Sequence, residues 1–159
     1  MAGLNLAETC HFVNIMPPGD TAGGIVCPVF DMEGYSHATI IVQIGASAAD
    51  AGNFTVEQCN ALSPTVHPDF AFQYYAEETD AGDVVEGPTR ATAATGIDLA
   101  PAGANNLMYV VEIDSAELTS GYHHLRCNFT TPGDANIASA IAILSGARDA
   151  RVASPTVLT

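Results

Sequence analysis

Apolar residues in this chain recur in short runs, mainly seven to nine residues long and rich in Val, Ile, Phe and Tyr. Clusters of Gly, Pro, Asn and Asp separate the runs. A run of that length that alternates apolar and polar positions fits a half-buried β-strand, because successive side chains on a strand point to opposite faces. Stretches with the 3.6-residue period of an amphipathic helix are almost absent. The pattern predicts strands over 10–16, 25–30, 37–45, 53–60, 69–76, 107–114, 122–130 and 137–145. About eight strands in one unit predict an all-β, single-domain fold, a β-sandwich or jelly roll. At 159 residues, such a domain can hide roughly two-thirds of the surface of its unfolded chain and needs no staples.

Within the runs, the alternation names a core. In 122–130 one face carries His123, Leu125, Cys127 and Phe129, the expected core side, and the other carries His124, Arg126, Asn128 and Thr130. Phe70, Phe72 and Tyr74 line one face of their strand, and Phe54 and Val56 begin a similar face in the strand before it. The last run differs, because Ile137, Ile141 and Ile143 alternate with Ala138, Ala140, Ala142 and Leu144 and neither side is polar. Such a strand is either central in its sheet or pressed against another subunit.

Between the fifth and sixth runs lies a long acidic loop, residues 77–106, rich in Ala, Gly, Thr and Asp and holding Pro88 and Pro101. A loop of that length is uncommon in a compact domain unless it serves an interaction or is disordered. Asp114 to Glu117, ahead of Leu118, permits one capped helical turn. The domain is expected to span residues 1–146, with 147–159 an extended C-terminal arm that docks on a neighbour; Arg148 and Arg151 make the arm locally basic.

Charge narrows the partners. Eighteen acidic residues face four arginines and no lysine, a formal charge of -14, which repels phosphate and anionic lipid and predicts no nucleic-acid or membrane partner. Without lysine there is no Schiff base and no complete phosphate-binding P-loop. Residues 1–7 lack the basic start of a secretion signal, and no apolar run approaches a membrane span, so a soluble compartment is expected. Charged residues make up only 14% of the chain, which suggests that some apolar surface meets a partner.

Candidate chemistry is thin. Gly45, Ala46, Ser47, Ala48 and Ala49 follow a strand as a nucleophile elbow does, but the next run alternates like a strand where an elbow needs a helix. His123 and Cys127, with Cys10 and His11, are residue types that bind zinc, at a spacing that matches no known finger or ribbon. His124, beside Arg126, is expected to be exposed or interfacial. Glu77, Glu78, Asp80, Asp83 and Glu86 gather carboxylates of the kind used by glycosidases and calcium loops, without the spacing of either. Cys10, Cys27, Cys59 and Cys127 are widely separated and read as buried reduced thiols. No catalytic, cofactor-binding or metal-binding set is assigned, no cofactor is expected, and the chain reads as a non-enzyme.

The segments IASAIAILSGAR at 137–148, GYHHLRC at 121–127, HFVNIMPP at 11–18 and YSHATIIVQIG at 35–45 resemble small virion structural proteins of tailed bacteriophages. These pieces cover about a third of the chain. The resemblance implies a capsid decoration or cement protein: a β-rich domain, often a homotrimer, seated on the outside of the major capsid protein shell in the virion and assembled in the host cytoplasm. It carries over no catalytic residue. A tail-associated virion protein would have a similar sequence. The contrasting expectation is a metal- or ligand-binding β-sandwich or hydrolase, in which the His and Cys side chains or the acidic loop converge on a pocket.

Overall fold

The structure, a computed structural model, describes residues 5–47, 52–79, 82–99, 105–131, 133–134 and 136–147. A four-residue helical turn, α1 (Leu6–Thr9), opens it, and nearly everything after is strand. The strands are β1 (His11–Asp20), β2 (Ile25–Val26), β3 (Phe30–Asp31), β4 (Tyr35–Ser47), β5 (Asn53–Cys59), β6 (Asp69–Phe70), β7 (Gln73–Thr79), β8 (Gly82–Arg90), β9 (Ile97–Asp98), β10 (Leu107–Asp114), β11 (His124–Phe129) and β12 (Asn136–Ala147). All their pairings are antiparallel. They form two sheets. The long sheet runs β1-β12-β4-β10-β7-β8; the short one runs β2-β11-β5-β6, with β3 also on β11 and β9 also on β5. The expectation of an all-β chain therefore holds, and among the described residues no helix is long and apolar enough to cross a membrane.

The strand count of about eight does not hold, since twelve strands are present among the described residues. The expected run 25–30 is interrupted: only its two ends pair with β11, and Pro28 between them has no N–H to give to a ladder. The run 69–76 also divides. β6 belongs to the short sheet and β7 to the long one, so the chain changes sheets at residues 71–72 while Phe70 and Phe72 stay buried. The expected loop 77–106 is largely strand, because β8 folds back on β7 as a hairpin and β9 pairs with β5. Its weak apolar content hid it: β8 is an edge strand, mostly exposed where its side chains are described. Of the proposed arm, Ala147 is the last residue of β12, and 148–159 lie outside the described residues.

One buried cluster joins the two sheets. Leu125, Cys127 and Phe129 of β11 and Phe54 and Val56 of β5 meet Ile40, Val42 and Ile44 of β4 and Tyr109, Val111 and Ile113 of β10. The ring of Phe54 stands edge-on to Phe129 at 5.2 Å and to Phe72 at 6.3 Å. Gly96 permits a tight approach beside this ring, since a Cβ there would come within 2.0 Å of the Phe54 carbonyl oxygen. In β12 the inward residues are Ala138, Ala140, Ala142 and Leu144, each 2% exposed or less. The alanines sit opposite Ile44, Val42 and Ile40 of β4 and opposite Gly19, Met16 and Val13 of β1. Bulky rows on both flanks fill the layer, so small residues are what fit between them. The long sheet ends on β1 and β8, which carry Pro17 and Pro18, and Pro88.

Candidate functional site

The residues proposed for chemistry do not come together. His123 precedes β11 and is exposed, a correction to its expected place on the core face, whereas Cys127 faces the core and is wholly buried. Cys10 is only partly buried at the junction of α1 and β1, and the His11 ring stacks on Tyr35 at 6.1 Å. Among the described residues no three His, Cys, Asp or Glu side chains are placed to hold a metal ion. Ser47 ends β4, and β5 already begins at Asn53, which leaves no room for the helix of a nucleophile elbow. Of the five carboxylates, Asp83 and Glu86 are exposed on the β7–β8 hairpin and Glu77 is half-buried there; Asp80 and the Glu78 side chain lie outside the described residues. All four cysteines are free thiols. Burial pushes the Cys27 thiol up to about 12 and, against the nearby Arg126 charge, Cys59 to about 11; burial also holds Cys127 well above the ordinary thiol value. Thiols held that high are poor nucleophiles.

The feature that does stand out is a surface. On β12 the isoleucines point away from the core: Ile137 is 45% exposed and Ile141 40%, while Ala138 and Ala140 between them are buried. Strand register extends this strip into a row. Ile141 is opposite Ile41 of β4, Ile41 opposite Val110 of β10, and Val110 opposite Tyr75 of β7. One step along, Ile143 is opposite Phe12 of β1, which is 46% exposed. A hollow of about 490 Å³, lined by Leu6, Cys10, Thr39 and Ile143 among others, continues the strip under α1. β12 is thus interior to its sheet, and its outer face carries Ile137, Ile141 and Ile143 interleaved with Ser139 and followed by Ser145.

Next to this row is a charged group that sequence reasoning missed. His37 on β4 is opposite Asp114 on β10, and Thr39 is opposite Glu112. The His37 ring bonds Asp114 Oδ1 through Nδ1 at 2.8 Å and Glu112 Oε2 through Nε2 at 2.5 Å, and the Thr39 hydroxyl donates to the same Glu112 oxygen at 2.8 Å. Burial lowers the His37 pKa, but the hydrogen bonds the ring makes to Asp114 and Glu112 and the charges of those carboxylates outweigh it, so the net shift is upward. The two carboxylates occupy opposite edges of one imidazole and do not converge on a single ion. More than seventy residues separate His37 from its partners, so only the β4–β10 register brings them together.

The outer face of the short sheet is polar by contrast. Arg126 Nε bonds Glu57 Oε2 at 2.6 Å, and His67 lies 3.3 Å from the other Glu57 oxygen. Burial raises the Glu57 pKa, and hydrogen bonds from Arg126 and Asn128 with the Arg126 and His67 charges bring it below the ordinary value. His124, expected to be exposed or interfacial, is mostly buried and 3.8 Å from Asp31. A second, polar hollow of about 440 Å³ is lined by Met32, Glu33, Ser115, Leu118, Tyr122 and His123 among others.

No protein-family model, curated protein or solved structure matches the chain.

Proposed function

We propose that this chain is a non-enzymatic virion structural protein, a capsid decoration or cement protein that seats on the outside of a major capsid protein shell and bridges neighbouring capsomers. Its two sheets are read as a β-sandwich of jelly-roll type, self-associating as a homotrimer. One observation carries the proposal: β12 turns its alanines inward and its isoleucines outward, an arrangement that benefits a chain only if the outer face is covered by a partner.

The size of the face favours a repetitive partner. Four strands at about 4.8 Å spacing and six residues at about 3.3 Å rise give a footprint of roughly 400 Å². A stable isolated complex uses about 800 Å² per partner, so one copy binds weakly and a trimer presenting three faces to one lattice binds well. A ligand that binds only the assembled shell stabilises it by mass action.

Purified chain mixed with undecorated shells from the source virus should bind at fixed copy number by quantitative mass spectrometry. The variant Ile41→Thr/Ile141→Thr should fold and fail to bind. Equal decoration by the variant, or absence of the wild-type chain from particles, overturns the proposal. The alternative of a ligand-binding sandwich draws on the polar hollow at Tyr122 and His123, and a defined small-molecule ligand lost on Tyr122→Ala would favour it.

A further inference from the structure

We propose that His37, Glu112 and Asp114 form a proton-operated control on the outer face of the long sheet. The protonated imidazole clamps both carboxylates and leaves the neighbouring apolar row adhesive; loss of the proton loosens Asp114 and weakens docking. The proposal rests on the reading of this face as a docking surface.

The geometry requires a doubly protonated ring. An ionised carboxylate only accepts hydrogen bonds, and neutral imidazole has a single N–H to give. Both ring nitrogens of His37 face carboxylate oxygens at hydrogen-bond distance, so only imidazolium satisfies both. Deprotonation removes one donor, and the oxygen that loses it faces a nitrogen lone pair. Thr39 can still hold Glu112, whereas Asp114, the more exposed carboxylate, keeps only the Glu117 N–H of its capping box and is the one loosened.

The surroundings amplify the change. Glu117, in the 3₁₀ turn Ser115–Glu117, accepts the Asp114 N–H at 3.3 Å, and Arg90 of β8 lies 3.4 Å from its other oxygen. From β12 the residue opposite His37 is the uncharged Ser145. With His37 protonated, three carboxylates are therefore set against two cations; without its proton they are set against one. Thr39 ties this group to the apolar strip, because it is opposite Ile143 on β12 and lines the hollow beside it. A loosened carboxylate at this border must be desolvated by any apolar partner that docks. Because the His37 pKa is raised by its carboxylate partners, the clamp opens at a higher pH than that at which an ordinary imidazole loses its proton.

Retention of the intact chain on phenyl-agarose between pH 6 and 9, alongside NMR titration of the His37 ring, tests this. Wild-type retention should fall by a factor of about two to five as pH rises, the size of a partly exposed charge effect, with a midpoint that follows the His37 titration. His37→Gln should give a flat, weak profile, and Glu112→Gln/Asp114→Asn a flat, strong one. A His37→Gln profile with the wild-type slope overturns the control. A flat wild-type profile also overturns it. Ile141→Thr reports on the face itself and should release at every pH, with Ile137→Thr used if that variant does not fold. Retention equal to wild type in a folded face variant would refute the docking surface rather than the clamp.

Discussion

Replacing Ala140 with isoleucine tests whether the alanine row of β12 is a filled layer. Ala140 is 1% exposed and sits between Val42 of β4 and Met16 of β1. Isoleucine adds three carbons. In an unfilled gap their burial would stabilise the chain by about 2.4 kcal/mol, at about 0.8 kcal/mol each. In a packed layer they force neighbouring side chains off their rotamers and cost about 1–3 kcal/mol. The two cases differ in sign, and the flanking bulk supports the second. Urea unfolding followed by circular dichroism should show a lower midpoint at unchanged slope, and the melting temperature should fall by about 2–12 °C. A stabilised Ala140→Ile protein would show that the small inward residues leave a void, and the outward isoleucines would lose their explanation as the consequence of a full core.

Under native conditions a thiol reagent should label Cys10 fastest and reach Cys27, Cys59 and Cys127 only on unfolding, as followed by intact mass; rapid labelling of Cys127 would contradict its burial. Arg126→Met should destabilise by about 3 kcal/mol, because it leaves the Glu57 carboxylate largely buried without its ion pair, whereas Glu57→Gln/Arg126→Met should recover part of that loss in urea titrations. Because the folded-state pKa of Glu57 is lowered, its stabilisation is present above its unfolded pKa and lost as pH falls through the folded one, so acid unfolding of wild type should be shallower in the double variant. Gly96→Ala should cost at least about 2 kcal/mol, since the backbone there has φ +61° and the added carbon meets the Phe54 carbonyl; a neutral melting curve would refute that contact.

The core was legible where alternation was strong. Leu125, Cys127 and Phe129 carry the same signal in the sequence and in the buried cluster, because a strand with one wet face writes its orientation in period two. β8 was not legible: Gly82 to Arg90 has few apolar residues, and what holds an edge strand is a backbone ladder to β7 that leaves little trace in composition. His123 was misplaced because the strand begins one residue later, where pairing with Asp31 and Cys59 starts. The last strand was the most informative and the least decided, since neither of its faces is polar. Only the register to β1 and β4 shows that the smaller face is the inner one. The His37 group could not be found by spacing, because strand pairing assembles it from residues more than seventy positions apart.

The prolines at the two ends of the long sheet separate two kinds of stickiness. An edge grows without limit, because each added strand presents a fresh edge, and chains with open edges polymerise into fibres. A face is consumed by the first layer that covers it. With Pro17 and Pro18 in β1 and Pro88 in β8, an arriving strand meets positions that have no N–H to offer, while the outer isoleucines remain open to a docking surface. If the outer face docks as proposed, the long sheet would then be closed to growth at its edges and covered after a single layer.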